Sequence, residues 1–168
     1  MPYFVNIPSD DESWTFQETL RRYEQYKEYL ESIREKLPKS AYEFATASWH
    51  YGEDPRNPHD YVIQSFDLLQ IKADSQGTHQ EPSLDIRIMV NTNYEGGWLR
   101  LTYKSVHTLS LSTSEAISPI DTTGWRVDEI ELSENGFVAH LVRFDCDINW
   151  RIECEDIEFG WEIVVSKE

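Results

Sequence analysis

Residues 148–165 read INWRIECEDIEFGWEIVV, and this stretch decides the fold. Apolar side chains occupy every second position over 148–154, and the same alternation returns over 157–165. A period of two places successive side chains on opposite faces of a β-strand. The stretch therefore predicts two strands, each with one face toward a core.

The same period occurs upstream, over 84–90, 99–103 and 109–111, and less regularly over 61–71. In total the pattern predicts about seven strands at hairpin spacing, which is typical of an antiparallel β-sandwich or a partly open barrel. No helix alternates with the strands and no break divides them. We therefore expect one domain over 1–168, with its antiparallel β part at 61–166.

The N-terminal part, 13–47, is predicted to be helical. Phe16, Tyr23, Leu30 and Leu37 recur every seven residues over 13–37, which indicates one long amphipathic helix. Pro38 ends it, and 40–47 predicts a second short helix. The apolar stripe could be a dimer interface, but at under four heptads it favours packing on its own domain. The predicted fold class is α+β, mainly β.

Charge is the sharpest compositional feature. The chain has 31 Asp and Glu against 15 Lys and Arg, a net charge of −16. Such a chain repels phosphate backbones and anionic lipids, so nucleic-acid and membrane-surface binding are disfavoured. A basic protein partner is favoured by the same field, although acidity also serves solubility.

Much of this charge lies at 128–168, which holds twelve acids and three bases. Acids concentrated on one sheet could steer a basic partner, or simply protect an exposed edge from aggregation. The candidate partner-binding residues are Glu134, Asp145, Asp147, Glu153, Glu155, Asp156 and Glu158.

Asn135-Gly136 is the strongest hairpin signal and predicts a two-residue type I′ turn. Glu134 then faces Phe137, and Asp128 faces Arg143 further along the same pair of strands. No like charges are opposed in this register, which supports it.

The same register brings Glu131 opposite His140, and a turn near 145–149 would bring Cys154 opposite His140. A carboxylate can orient an imidazole, which can lower the pKa of a thiol, as nucleophilic catalysis requires. The set could also bind a metal. A buried histidine beside a structural cysteine is the plainer interpretation, because Cys154 lies within a regular strand.

The loop at 50–60 holds two histidines and three carboxylates: His50, Glu53, Asp54, His59 and Asp60. These groups could bind a divalent metal, but their spacing matches no established motif and favours a role in bracing the loop. His59 and Asp60 stay a possible polar site. No cofactor is predicted.

Cys146 and Cys154 form neither a disulfide framework nor a zinc motif. The N-terminal residues lack the pattern of a signal peptide, and no apolar stretch is long enough for a membrane helix. We therefore expect a cytoplasmic protein.

Several segments resemble a family of small acidic bacterial proteins of unassigned function. They are 37–45 (LPKSAYEFA), 49–51 (WHY), 58–60 (PHD), 101–104 (LTYK) with Val106, 128–130 (DEI), His140, and 156–157 (DI) with Phe159. The resemblance covers most of the chain and implies no activity. Proteins of this kind also include immunity proteins that accompany secreted toxins.

The sequence thus predicts a non-enzymatic acidic module that binds another protein, with inhibition of a basic bacterial toxin as the specific expectation. A small enzyme or metal-dependent module using His59 and Asp60, or Glu131, His140 and Cys154, is the first alternative. A structural or dimerising domain is the second. The oligomeric state is left open.

Overall fold

A computed structural model describes residues 3–5, 15–51, 53–59, 61–71, 83–91, 97–112, 124–145 and 148–163. Asp60, Cys146 and Asp147 lie outside the described residues, so the predictions that involve them are not addressed.

The predicted long helix is helix α1, Phe16–Ile33, followed by a 3-10 turn, Arg34–Lys36. The predicted short helix is α2, Lys39–Ala45. Thr15 caps α1 by accepting the backbone N–H of Glu18 at 3.2 Å. Leu37 is extended, with φ −86° and ψ 143°, because a residue before proline is pushed out of the helical region.

Eight strands follow the helices: β1 Ile63–Ile71, β2 Ser83–Asn91, β3 Gly97–Lys104, β4 Thr108–Ser112, β5 Trp125–Leu132, β6 Val138–Phe144, β7 Asn149–Cys154 and β8 Asp156–Ile163. They form two antiparallel sheets of four strands, ordered β1-β2-β3-β8 and β4-β7-β6-β5. The mainly β, sandwich-like α+β fold is therefore confirmed.

The two inner faces pack on each other, and the helices cover the side where β5 and β8 lie. Tyr26 of α1 donates its hydroxyl proton to the backbone oxygen of Ile130 and accepts that residue's N–H. Tyr26, Leu30, Ile33 and Leu37 are buried in the shared core. This part of the helical stripe is thus a core surface, which confirms the favoured prediction that the stripe packs on its own domain.

The predicted two-residue turn at Asn135-Gly136 is also wrong. Ser133, and not Glu134, pairs with Phe137 through N–H to O at 2.8 Å. Only Gly136 has a positive φ in this loop, +82°. This is the three-residue loop that ends in a left-handed residue. The extra residue changes the β5–β6 register by one.

That change of one residue reverses the faces of β5. Asp128 opposes Val142 instead of Arg143, and Ile130 opposes His140. Asp128 therefore points into the core, where it is buried. The predicted Asp128–Arg143 pair does not form.

Candidate functional site

A chain of buried polar groups crosses the core at the centre of the molecule. His50 Nε2 and His140 Nε2 are both hydrogen-bonded to Oδ2 of Asp128, at 2.8 and 3.0 Å. Trp125 Nε1 donates to the other carboxylate oxygen at 3.1 Å. The Tyr103 hydroxyl lies 2.8 Å from His140 Nδ1. All five side chains are buried, and we call them the Asp128 network.

The secondary structure explains how these residues meet. His50 follows α2 in a turn, and its Nδ1 lies 2.9 Å from the backbone oxygen of Phe44 near the end of that helix. Asp128 and His140 are on the inner face of the second sheet, and Tyr103 is on β3 of the first. The network therefore joins the helical part to both sheets.

The hydrogen-bond partners of His50 and His140 indicate which ring nitrogens donate and which accept. Both ring nitrogens of His50 face acceptors, the backbone oxygen of Phe44 and the carboxylate of Asp128, so the geometry suits donation from each of them and pairs His50 with Asp128. Nδ1 of His140 accepts from Tyr103 while its Nε2 donates to Asp128, so this ring is neutral. The network thus contains one buried ion pair, His50 with Asp128, and its other polar atoms are hydrogen-bonded.

The pKa values follow from this arrangement. Burial opposes ionisation of Asp128, but the His50 charge and the histidine hydrogen bonds outweigh it and hold its pKa well below the usual range. Burial lowers the pKa of His140. Burial, with the nearby Cys154 and Asp128 adding to it, raises the pKa of Tyr103, which keeps its hydroxyl a donor.

An apolar cleft of about 470 Å³ lies above the network. Its walls come from α1, from the loop after α2 and from the beginning of β5, and we call it the aromatic cleft. It is lined by Phe4, Thr19, Leu20, Tyr23, His50, Tyr51, Asn57, His59, Trp125, Arg126, Val127 and Asp128. Because His50, Trp125 and Asp128 are buried, the accessible lining combines the aromatic rings of Phe4, Tyr23 and Tyr51 with aliphatic and polar side chains.

The predicted set Glu131, His140 and Cys154 does not assemble. Glu131 is on the outer face of β5, where it accepts from Arg151 at 2.6 Å. Cys154 opposes Val138 instead of His140. Burial, together with the Asp156 charge, raises the pKa of the Cys154 thiol to about 12. A nucleophilic cysteine needs the opposite shift.

The loop at 53–59 is braced by its own side chains. Asp54 holds the Arg56 guanidinium at 2.8 Å, and Asn57 accepts the backbone N–H of His59 at 2.9 Å. The His59 side chain is exposed at the rim of the aromatic cleft. Among the described residues, no three His, Cys, Asp or Glu side chains are grouped as metal ligands.

The predicted partner-binding acids fall into two groups. Asp145 pairs with Arg126, Glu153 pairs with Arg151, and Asp156 accepts from the Ser40 hydroxyl at 2.6 Å. Glu134, Glu155 and Glu158 are exposed, and of these three only Glu158 has a cation nearby among the described residues, Lys104 at 3.4 Å.

The exposed three lie at one end of the molecule. Val138 pairs with Cys154, so the β5–β6 loop and the β7–β8 turn are neighbours. The backbone N–H of Glu155 donates to the oxygen of Lys104, whose side chain reaches Glu158. We call Glu134, Glu155 and Glu158 the acidic edge.

Sequence reasoning placed His140 and Asp128 on neighbouring strands but missed their contact, because the register was off by one. It placed His50 in a loop of candidate ligands and did not connect it with Asp128. The resemblance pattern contains 49–51, 101–104, 128–130 and His140. Those segments contain four of the five network residues, and their shared presence was the available signal.

Comparison with known proteins gives no matching family model, no similar curated protein and no similar solved structure. In the part of the chain that the structure describes, neither helix is both long and apolar enough to span a membrane.

Proposed function

We propose that this protein is a non-enzymatic acidic module that binds a basic protein partner. The observation that carries the proposal is the acidic edge, where exposed carboxylates gather at one end of a chain of net charge −16. Exposed acids of this kind accelerate encounter with a cationic surface and select against acidic partners.

The buried chemistry supports binding over catalysis. In the Asp128 network every histidine nitrogen and carboxylate oxygen is engaged by another protein group. The Cys154 thiol is buried and resists ionisation. Neither provides an available base or nucleophile.

Inhibition of a basic bacterial toxin is the specific role we propose, as in an immunity protein kept in the cytoplasm. Covering a cationic active surface needs charge and an apolar anchor, because desolvated aromatic or aliphatic contacts provide most of the affinity at interfaces. The aromatic cleft is the candidate receptor for an apolar side chain of such a partner, and because it lies at the beginning of β5 while the acidic edge lies beyond its end, a partner that uses both spans the length of that strand.

A matched pair of charge reversals tests the proposal. Glu155→Lys alters the acidic edge, while Glu53→Lys makes the same charge change at an exposed glutamate of the 53–59 loop. Each variant and the wild type would be immobilised and exposed to lysate of the source organism, and retained proteins identified by mass spectrometry. Affinity for each retained basic protein would then be measured with the purified components.

We expect Glu155→Lys to weaken binding about tenfold, Glu53→Lys to leave it within about twofold, and wild-type affinity to fall as NaCl rises from about 0.05 to about 0.3 M. Binding that is independent of salt and of Glu155 would overturn the proposal. Co-expression with the retained protein tests the toxin role separately, since an inhibitor must restore growth.

A further inference from the structure

Strand β4 is an open edge of the second sheet. It pairs on one side with β7, from Thr108 opposite Glu153 to Ser112 opposite Asn149. Within the described part of the chain, no strand pairs with its other side. All five of its residues are exposed, so a row of backbone donors and acceptors faces outward.

The residues of β4 themselves lack the side chains that usually protect an edge strand. Edge strands commonly carry charged residues, proline or a bulge, which prevent another chain from pairing with them. Residues 108–112 read TLSLS, without a charge or a proline, in a chain with 46 charged side chains, 31 acidic and 15 basic. A neutral strand at an open edge is suited to accepting another strand.

The sequence of β4 is the same in both directions apart from Thr108. If two copies pair antiparallel about Ser110, then Leu109 opposes Leu111, Thr108 opposes Ser112, and Ser110 opposes itself. A two-fold interface requires that residue i contacts j while j contacts i. Here every opposed pair is leucine with leucine or hydroxyl with hydroxyl, so the strand is self-complementary.

Apolar side chains beside the edge are left uncovered. Leu109 and Leu111 oppose the buried Ile152 and Trp150, so they belong to the inner face, yet Leu111 is 60% exposed. Phe66, Leu68 and Leu84 lie on the inner face of the first sheet, and Leu68 is also 60% exposed. Among the described residues, the sandwich is thus open at its β1 and β4 side. A second copy would extend the core there.

We propose that two copies of this chain associate through β4, antiparallel about Ser110, and so join two four-stranded sheets into one of eight strands. Charge favours β4 as the contact. Two molecules of charge −16 repel each other, and contact through a neutral segment adds the least electrostatic repulsion. Five residues a side make a small interface, so the dimer is weak and depends on concentration.

Sedimentation equilibrium tests the dimer on the unmodified protein. The mass should rise from 19.8 kDa toward twice that value as concentration rises from about 10 µM to about 1 mM. Added NaCl should strengthen association, because it screens the repulsion between the copies. Binding of a basic partner must instead weaken with salt. The two proposals therefore predict opposite effects of salt, and either one can fail without the other.

Charge variants at the two-fold axis test the geometry. Ser110→Asp and Ser110→Lys each place like charges opposite one another, and each should raise the dimer dissociation constant about tenfold or more. An equimolar mixture of the two should recover association, because the charges are then opposite. Ser48→Asp and Ser48→Lys, at an exposed turn position away from β4, should behave as the wild type does.

Three results would overturn the proposal. These are a wild type that stays monomeric to about 1 mM at high salt, Ser110 variants that associate as the wild type does, and a Ser110→Asp and Ser110→Lys mixture that stays monomeric. The wild-type measurement needs no variant, so it holds even if a substitution damages the fold.

Discussion

Replacement of Asp128 by Asn removes the negative member of a buried ion pair while keeping its shape. Three donors converge on the carboxylate, from His50, His140 and Trp125. The Asn side chain has one acceptor oxygen and turns an NH₂ group toward one of these donors. His50 then lies in the core without its charged partner.

The expected loss of stability in Asp128→Asn is large. Breaking a buried pair by removing one partner costs about 3–5 kcal/mol, and a domain of this size has a total stability of about 5–15 kcal/mol. We expect Asp128→Asn to lower the free energy of unfolding by about 3–5 kcal/mol. At about 2–4 °C per kcal/mol, the Tm should fall by about 6–20 °C.

Urea unfolding followed by tryptophan fluorescence measures the change, because Trp125 is itself in the network. Glu131→Gln is the control: it removes a half-buried carboxylate on the outer face of the same strand, paired with Arg151, and should cost at most about 1 kcal/mol. If Asp128→Asn costs no more than this control, our account of the network is wrong.

A double-mutant cycle separates the ion pair from the rest. His50→Gln removes the positive charge, so Asp128→Asn should cost less in that background than in the wild type. A coupling energy of about 2 kcal/mol or more is expected for groups in one hydrogen-bond network. Simple additivity of the two substitutions would show that the two residues are not paired.

Three further predictions concern pH, reactivity and the turn. The folded pKa of His140 is lowered. The contribution of His140 to the free energy of unfolding is therefore complete above the unfolded pKa of about 6.5 and is lost as pH falls below that value. The folded pKa of Asp128 is also lowered, so Asp128 adds a second loss of stability below about pH 4. Urea unfolding from pH 8 to 5 should show a less favourable change in stability for the wild type than for His140→Gln, because only the wild type loses the His140 contribution, and equal slopes would contradict it. The Cys154 thiol, with a pKa near 12, should escape iodoacetamide at about pH 8 until urea is added. Peptide mass mapping separates Cys154 from Cys146, and labelling of Cys154 in the native protein within minutes would show an accessible thiolate. Gly136→Ala should cost about 1 kcal/mol in urea unfolding, because φ is +82° while space for a Cβ is open, and an unchanged midpoint would argue against this turn.

Strand periodicity made most of the fold predictable. Alternation at 84–90 and 148–163 fixes which side chains face the core, because burial depends directly on the two-residue period. The helical stripe was equally clear, and Pro38 marked where the helical segment stops, because a proline restricts the residue before it. Apolar spacing does not reveal that the last turn, Arg34–Lys36, is a 3-10 turn.

The candidate site was harder to predict from the sequence, because its geometry depends on the length of one loop. Asn135-Gly136 suits a two-residue turn, yet Gly136 serves as the last residue of a three-residue loop. That difference decides whether Asp128 or Glu131 shares a face with His140. The contribution of His50 depends on packing between the helical part and the sheets, and no local pattern encodes a contact over 78 positions.

The Asp128 network also selects one pairing of β5 with β6 over its nearest competitor. A slip of one residue would turn Asp128 and Ile130 outward and bring Glu129 and Glu131 into the core. His50 Nε2 and His140 Nε2 would then lose Asp128 as their acceptor. Glu129, which is already buried, would leave the backbone N–H groups of Tyr3, Phe4 and Val5 from which it now accepts hydrogen bonds. The hydrophobic pattern of β5 is too mixed to prevent such a slip by itself. The buried pair therefore specifies the β5–β6 register: it destabilises the misaligned pairing as well as stabilising the aligned one.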